Sequence, residues 1–147
     1  LTDKTWEERV QSFDLERFVL AQRDVYSTAL NELLAGSKRS HWMWFIFPQI
    51  KGLGRSDIAR FYALSGRDEA QAYLDHVVLG PRLAECTQAM LRHSGSSATT
   101  ILGSPDDLKF CSSMTLFAAI SRDGSLYQQA LQHFCHGRRD EKTLVLI

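Results

Sequence analysis

Between Asp14 and Gly36 the apolar residues recur at helical steps. Leu15, Phe18, Val19, Val25, Tyr26, Ala29, Leu30, Leu33 and Leu34 mostly keep to one stripe. No other feature constrains the fold as much, because the spacing predicts a helix over 14–35 with one face that must be buried. Asp14 is placed as its N-cap, Phe13 and Phe18 hold the staple positions around that cap, and Gly36 closes it in the left-handed conformation. No segment of convincing length alternates apolar with polar residues, and no Asn-Gly turn marks a hairpin. The β-like runs Val77-Val78-Leu79 and 143–147 are both short.

The rest of the chain is punctuated in the same way. Ser40 caps a short helix over 41–46 that Pro48 stops, and Ser56 caps another over 57–64. Ser65 and Asp68 have capping-box spacing ahead of a helix through Leu74. Gly80-Pro81 opens a helix to about Arg92. A brief turn spans 98–102, Ser104-Pro105 starts a helix through Ala118, a helix over 125–136 ends at Gly137, and Asp140 caps the last one. The expected fold is all-α: a single-domain orthogonal bundle over 13–147, of about seven to nine unequal helices, after an N-terminal arm over 1–12 anchored by Trp6.

Composition narrows the function classes. The formal net charge of the 147 residues is zero, which argues against a general electrostatic grip on nucleic acid or an anionic membrane. No signal peptide or membrane span is visible. The cysteines, Cys86, Cys111 and Cys135, are odd in number and lack CxxC spacing, so reduced thiols in a cytoplasmic protein are expected. The first residue is Leu1 rather than Met, so the natural N-terminus is expected to lie upstream.

Three constellations could carry chemistry. The first is Lys38, His41, Trp42, Trp44 and Gln49, a stretch dense in aromatics that a Gly52-Leu53-Gly54 turn follows. Its aromatics could serve as core. Alternatively a tryptophan stacks on a flat ligand while Lys38 and His41 handle charge or a proton, histidine being suited by a pKa near neutrality. The second is Asp106, Lys109 and Ser113, at helical steps of three and four, with Ser112 off that stripe. It is either a solvated face with an Asp–Lys pair, or a polar wall where Lys109 and the hydroxyls hold phosphate or ribose oxygens and Asp106 acts as base. The third is Arg138 with Asp140, a structural cap or an anion site. Of the ligating residues His133, Cys135 and His136, only the two histidines share a face and no second cluster completes a tetrahedron, so no metal and no cofactor are expected. Cys111 is expected as a small buried hydrophobe; as a nucleophile it would need a base, and His41 is the candidate.

Long ordered motifs add a resemblance. They are Gly36-x-Lys38-x-Ser40-His41-Trp42-Met43-Trp44-Phe45-x-Phe47-Pro48-Gln49, Gly52-Leu53-Gly54, Leu79-Gly80-Pro81-Arg82-Leu83, Asp106-x-x-Lys109-x-x-Ser112-Ser113-Met114-Thr115 and Gly137-Arg138-x-Asp140-x-x-Thr143. On these the chain resembles, from about residue 13 to 147, an uncharacterised bacterial family catalogued as domain of unknown function 1810. That family has an all-helical mycobacterial representative, and its members are sometimes labelled calpastatin. The resemblance implies an all-helical domain and no particular reaction. Val77 stands where the family pattern usually carries Pro. A looser likeness, of architecture without aligned motifs, is to the NADAR group of ADP-ribose-handling N-glycosidases.

The expected function is therefore a small-molecule enzyme, a hydrolase or N-glycosidase acting on an ADP-ribose or nucleotide-type ligand. His41 and Asp106 are the catalytic candidates. Lys38, Trp42, Trp44, Gln49, Lys109, Ser112, Ser113, Arg138 and Asp140 are the substrate-binding ones. The alternative is a non-catalytic binding or protein-interaction module; a homodimer is compatible with either.

Overall fold

The structure, a computed structural model, describes residues 3–123 and 125–147; the first two residues of the expected arm lie outside them. Among the described residues there are eleven helices. They are α1 (Trp6–Gln11), α2 (Glu16–Gln22), α3 (Tyr26–Ala35), α4 (Met43–Ile46), α5 (Asp57–Phe61), α6 (Arg67–Asp75), α7 (Leu79–Leu91), α8 (Ala98–Leu102), α9 (Asp106–Ile120), α10 (Ser125–Phe134) and α11 (Glu141–Leu146). The all-α class holds, and the count exceeds the expected seven to nine. Part of the excess is α1, which forms within the arm behind a Thr5–Glu8 capping box.

The rest of the excess comes from the long helix expected over 14–35, which is broken by a turn at 23–25. The break lets Gln22 point inward. Its side-chain amide donates to the Phe45 carbonyl at 2.7 Å and the Tyr73 hydroxyl at 3.2 Å, and the residue is 1% exposed. Such a buried amide must find partners, and here they lie on other helices. Asp14 does not cap α2; Leu15 stands at that position without a side-chain bond, and the Asp14 carbonyl accepts from Arg17 instead. Gly36 does close α3, at φ 73°.

Ser56, Ser97 and Asp140 cap α5, α8 and α11 through their side-chain oxygens. Ser65 does not cap α6; its N–H donates to the Glu69 carboxylate at 2.8 Å. The start of α7 precedes Gly80-Pro81, and His76 Nδ1 accepts from the Val78 and Leu79 amides there at 3.1 and 3.2 Å.

The middle of the molecule is α9, which packs against α6, α8, α10 and α11, while α7 packs on α3, α6 and α10. From Ser112 to Ala118 every residue of α9 is buried. One hydrophobic cluster joins α9 to Phe18, Leu33, Trp42, Phe47, Tyr73 and Leu131, and Phe110 meets Phe47 edge-on at 5.0 Å. No strand is present among the described residues; an isolated bridge pairs Ile50 with Leu64. No helix among the described residues is long and apolar enough to cross a membrane.

One expectation is overturned outright. Cys111 and Cys135 form a disulfide between α9 and the end of α10, with Cα atoms 5.9 Å apart. The pairing joins residues 24 apart in sequence that only the packing of α10 on α9 brings together. Cys86 is the remaining free thiol; it is buried, and that burial pushes its pKa up to about 12.

Candidate functional site

Lys38, in the loop after α3, reaches across to the first turn of α9. Its Nζ lies 3.0 Å from Asp106 Oδ2, with only 9% of the lysine side chain and 19% of the aspartate exposed. Lys109, one turn along α9, approaches Asp106 Oδ1 at 3.6 Å. Each ammonium also lies over an indole: Lys38 at 5.1 Å from the Trp42 ring centre and Lys109 at 5.3 Å from that of Trp44. At such distances the electron-rich ring face attracts the cation. Two lysines, one carboxylate and two tryptophans therefore form one cluster with a surplus positive charge.

The two indoles differ. Trp42 is fully buried, and its Nε1 donates to Glu32 Oε1 at 3.0 Å, so its expected place as a stacking surface gives way to a place in the core. Trp44 is half-buried under Lys109. His41 is exposed in the loop just before them, and its ring makes no hydrogen bond to the protein. Gln49 is half-buried, with its carbonyl accepting from the Leu64 amide at 2.9 Å.

A residue absent from the expected set organises this loop. The Glu32 carboxylate of α3 accepts from the Arg39 amide (2.7 Å), the Ser40 amide (2.9 Å), the Ser40 hydroxyl (2.6 Å) and Trp42 Nε1. Ser40 is thus tied to Glu32 rather than capping α4, whose N-cap, Trp42, makes no side-chain bond. Burial alone would raise the Glu32 pKa. The Ser40 hydroxyl, the two amides and the indole N–H outweigh it and lower the value from 4.5 to about 2. A carboxylate in the last turns of a helix opposes the helix dipole, and that was the one signal of Glu32 available in the sequence.

The other expected residues sit elsewhere. Ser113 is fully buried, and its hydroxyl has no partner, so it faces no ligand-accessible surface. Ser112 donates to the Leu108 carbonyl at 3.2 Å and to Asp140 Oδ2 at 3.3 Å. Asp140 Oδ2 also accepts from the Thr143 amide at 3.0 Å and the Thr143 hydroxyl at 2.5 Å, which fixes it as a structural cap. Ser112, Arg138 and Asp140 line a separate cleft of about 720 Å³, together with Asp107 and both cysteines of the disulfide. None of Lys38, His41, Trp42, Trp44, Asp106 or Lys109 lines that cleft. The expected single pocket is therefore two places on opposite flanks of the first turns of α9. Among the described residues no three His, Cys, Asp or Glu side chains are grouped to hold a metal ion.

A family model described as "Protein of unknown function (DUF1810)" matches residues 12–147. The crystal structure of the conserved hypothetical protein Rv1873 from Mycobacterium tuberculosis is similar, with a TM-score of 0.90 and 50% identity. The match covers 92% of this chain and 96% of that one. No curated protein matches the chain.

Proposed function

The chain belongs to the DUF1810 family, and from that premise we propose that it is a small-molecule hydrolase acting on an anionic, ring-bearing substrate of the ADP-ribose or nucleotide type. The observation that carries this is the Lys38–Asp106–Lys109 cluster set against Trp42 and Trp44. In the free protein Asp106 occupies both ammonium groups. A phosphate or diphosphate presents the same charge more strongly and competes for both lysines. A flat base in place of the Lys109 ammonium would then stack on the half-exposed Trp44 face. As the lysines turn to the ligand, the Asp106 carboxylate is released to accept a proton from water as that water adds to the anomeric carbon. The bond to the pyridinium nitrogen of an NAD⁺-type ligand breaks with its electron pair going to that nitrogen, so nicotinamide leaves neutral and needs no proton. His41, exposed and next to Trp42 in sequence, takes the proton from Asp106 and passes it to solvent.

Ligand binding and turnover are tested separately. Titration of the protein with ADP-ribose and NAD⁺ is expected to quench tryptophan fluorescence, and Trp44→Phe to remove most of that quenching. Incubation with NAD⁺ is expected to release nicotinamide. His41→Ala and Asp106→Asn are each expected to slow that release by about a hundredfold while circular dichroism remains that of the parent. No quenching at millimolar ligand would end the proposal. Quenching without hydrolysis would replace the enzyme by a non-catalytic nucleotide-binding module.

A further inference from the structure

The cleft beside the disulfide takes no part in the function proposed above, yet its wall holds a reactive group. Both Cys111, half-buried, and Cys135, buried in the core cluster, line it, so the S–S bond lies between the cleft and the core. Around it stand His136, Arg138, Arg139 and Lys142, all exposed. Arg139 bonds Gln128 at 3.4 Å, whereas the Arg138 and Lys142 side chains have no protein partner. Of the carboxylates on the wall, Asp107 accepts from Thr99 and the Leu108 amide, and Asp140 from Ser112 and Thr143, all neutral donors that leave the negative charges in place; with Glu141 they balance the charge of Arg138, Arg139 and Lys142. Arg138 and Lys142, exposed and without an ion-pair partner among the described residues, are the groups an incoming carboxylate meets at the mouth of a site of about 720 Å³, enough for a small peptide.

We propose that this cleft is a thiol–disulfide exchange site for a carboxylate-bearing low-molecular-weight thiol. The thiolate of the incoming molecule attacks Sγ of Cys111, the less buried residue of the pair, and forms a mixed disulfide there. The Cys111–Cys135 bond breaks and Cys135 departs as a thiolate. A second thiolate attacks the mixed disulfide and leaves as the symmetrical disulfide, releasing Cys111. The two electrons come from the two external thiols, which are oxidised as the protein disulfide is reduced to a dithiol. Cys135 lies just past the C-terminal end of α10, whose dipole disfavours a thiolate; Arg138 and Arg139 on the same wall offset this and favour its departure as a thiolate. The residues after it, His136 at φ 58° and Gly137 at φ 70°, form a tight left-handed turn that keeps these cations on the same wall.

The oxidised full chain tests this. It is exposed to glutathione or to 2-mercaptoethanol at equal thiolate concentration, free thiols are then alkylated without denaturant, and the modified residues are read by mass spectrometry. Alkylation is expected at Cys111 and Cys135 and not at the buried Cys86, with circular dichroism unchanged. Glutathione is expected to react about tenfold faster at low salt, since Arg138 and Lys142 pair with its carboxylates, and the advantage should fade as salt rises. Arg138→Ala combined with Lys142→Ala is expected to abolish it. Two results would overturn the proposal: a disulfide that is reduced only once denaturant unfolds the chain, or equal rates for the two thiols at low salt. The salt dependence of the parent protein decides the matter even if the double variant fails to fold.

Discussion

Glu32 shows how much one side chain can determine. It has four donors on one carboxylate, and all four belong to the loop and helix entry that carry Lys38 and Trp44. Glu32→Gln keeps the shape but turns an N–H₂ towards donors, leaving at least one of them unpaired. A loss of about 2 kcal/mol is expected in urea unfolding at pH 7. The pH dependence follows from the lowered pKa. A carboxylate whose folded value is depressed contributes stability that is complete above its unfolded value and lost as pH falls through the folded one. The gap between parent and variant should therefore be full above pH 4.5 and close as pH drops towards about 2. A gap that stays constant across that range would mean that the carboxylate charge is not what holds the loop. Lys38 and Trp44 were legible beforehand because charge beside dense aromatics is a local signal, and Asp106 and Lys109 because they fall at helical steps on one face. Glu32 was not, since its partners come from a loop whose path only the packing of α3 determines.

Among the elements, α6 and α7 approach backbone to backbone at Gly80. A methyl group on Gly80 would sit 2.0 Å from the Leu74 carbonyl oxygen and 3.0 Å from its carbon. Both are backbone atoms, so no side chain can rotate away and the helices would have to part. Gly80→Ala is therefore expected to cost about 3 kcal/mol, seen as a fall of about 10 °C in Tm. A fall of less than about 2 °C would show that α6 and α7 can separate freely. Gly80-Pro81 was visible as a helix start, yet the reason for glycine there lies in the C-terminal turn of a neighbouring helix. The same distinction runs through the other boundaries. Ser56, Gly36 and Asp140 cap as their local sequence indicates, because a cap is satisfied within three or four residues. The break between α2 and α3 depends on Phe45 and Tyr73, which are 23 and 51 residues from Gln22, and no local pattern carries it.

At the scale of the whole molecule, α9 separates two chemistries. One flank holds Asp106 and Lys109 in the charged tryptophan cluster; the other holds Cys111 and Ser112 against the α10–α11 connection. That connection is held twice over, by the disulfide and by a polar set in which Thr115 accepts from the Asp140 amide at 2.8 Å while Ser112 donates to the Asp140 carboxylate. An odd cysteine count hides a disulfide that spans two helices, so this tie could not be read in advance, whereas Asp140 and Thr143 could. The disulfide closes a loop of 24 residues, for which loss of chain entropy in the unfolded state corresponds to about 3 kcal/mol. Because the polar set survives reduction, the reduced protein should keep its fold. Its urea midpoint should drop by the equivalent of about 3 kcal/mol, and the slope should steepen as the unfolded chain is freed. Parallel unfolding of oxidised and dithiothreitol-reduced protein measures this. A difference below about 1 kcal/mol would assign the connection to the Thr115–Asp140–Ser112 bonds alone, and loss of the native fold on reduction would show that those bonds cannot hold α11 without the disulfide.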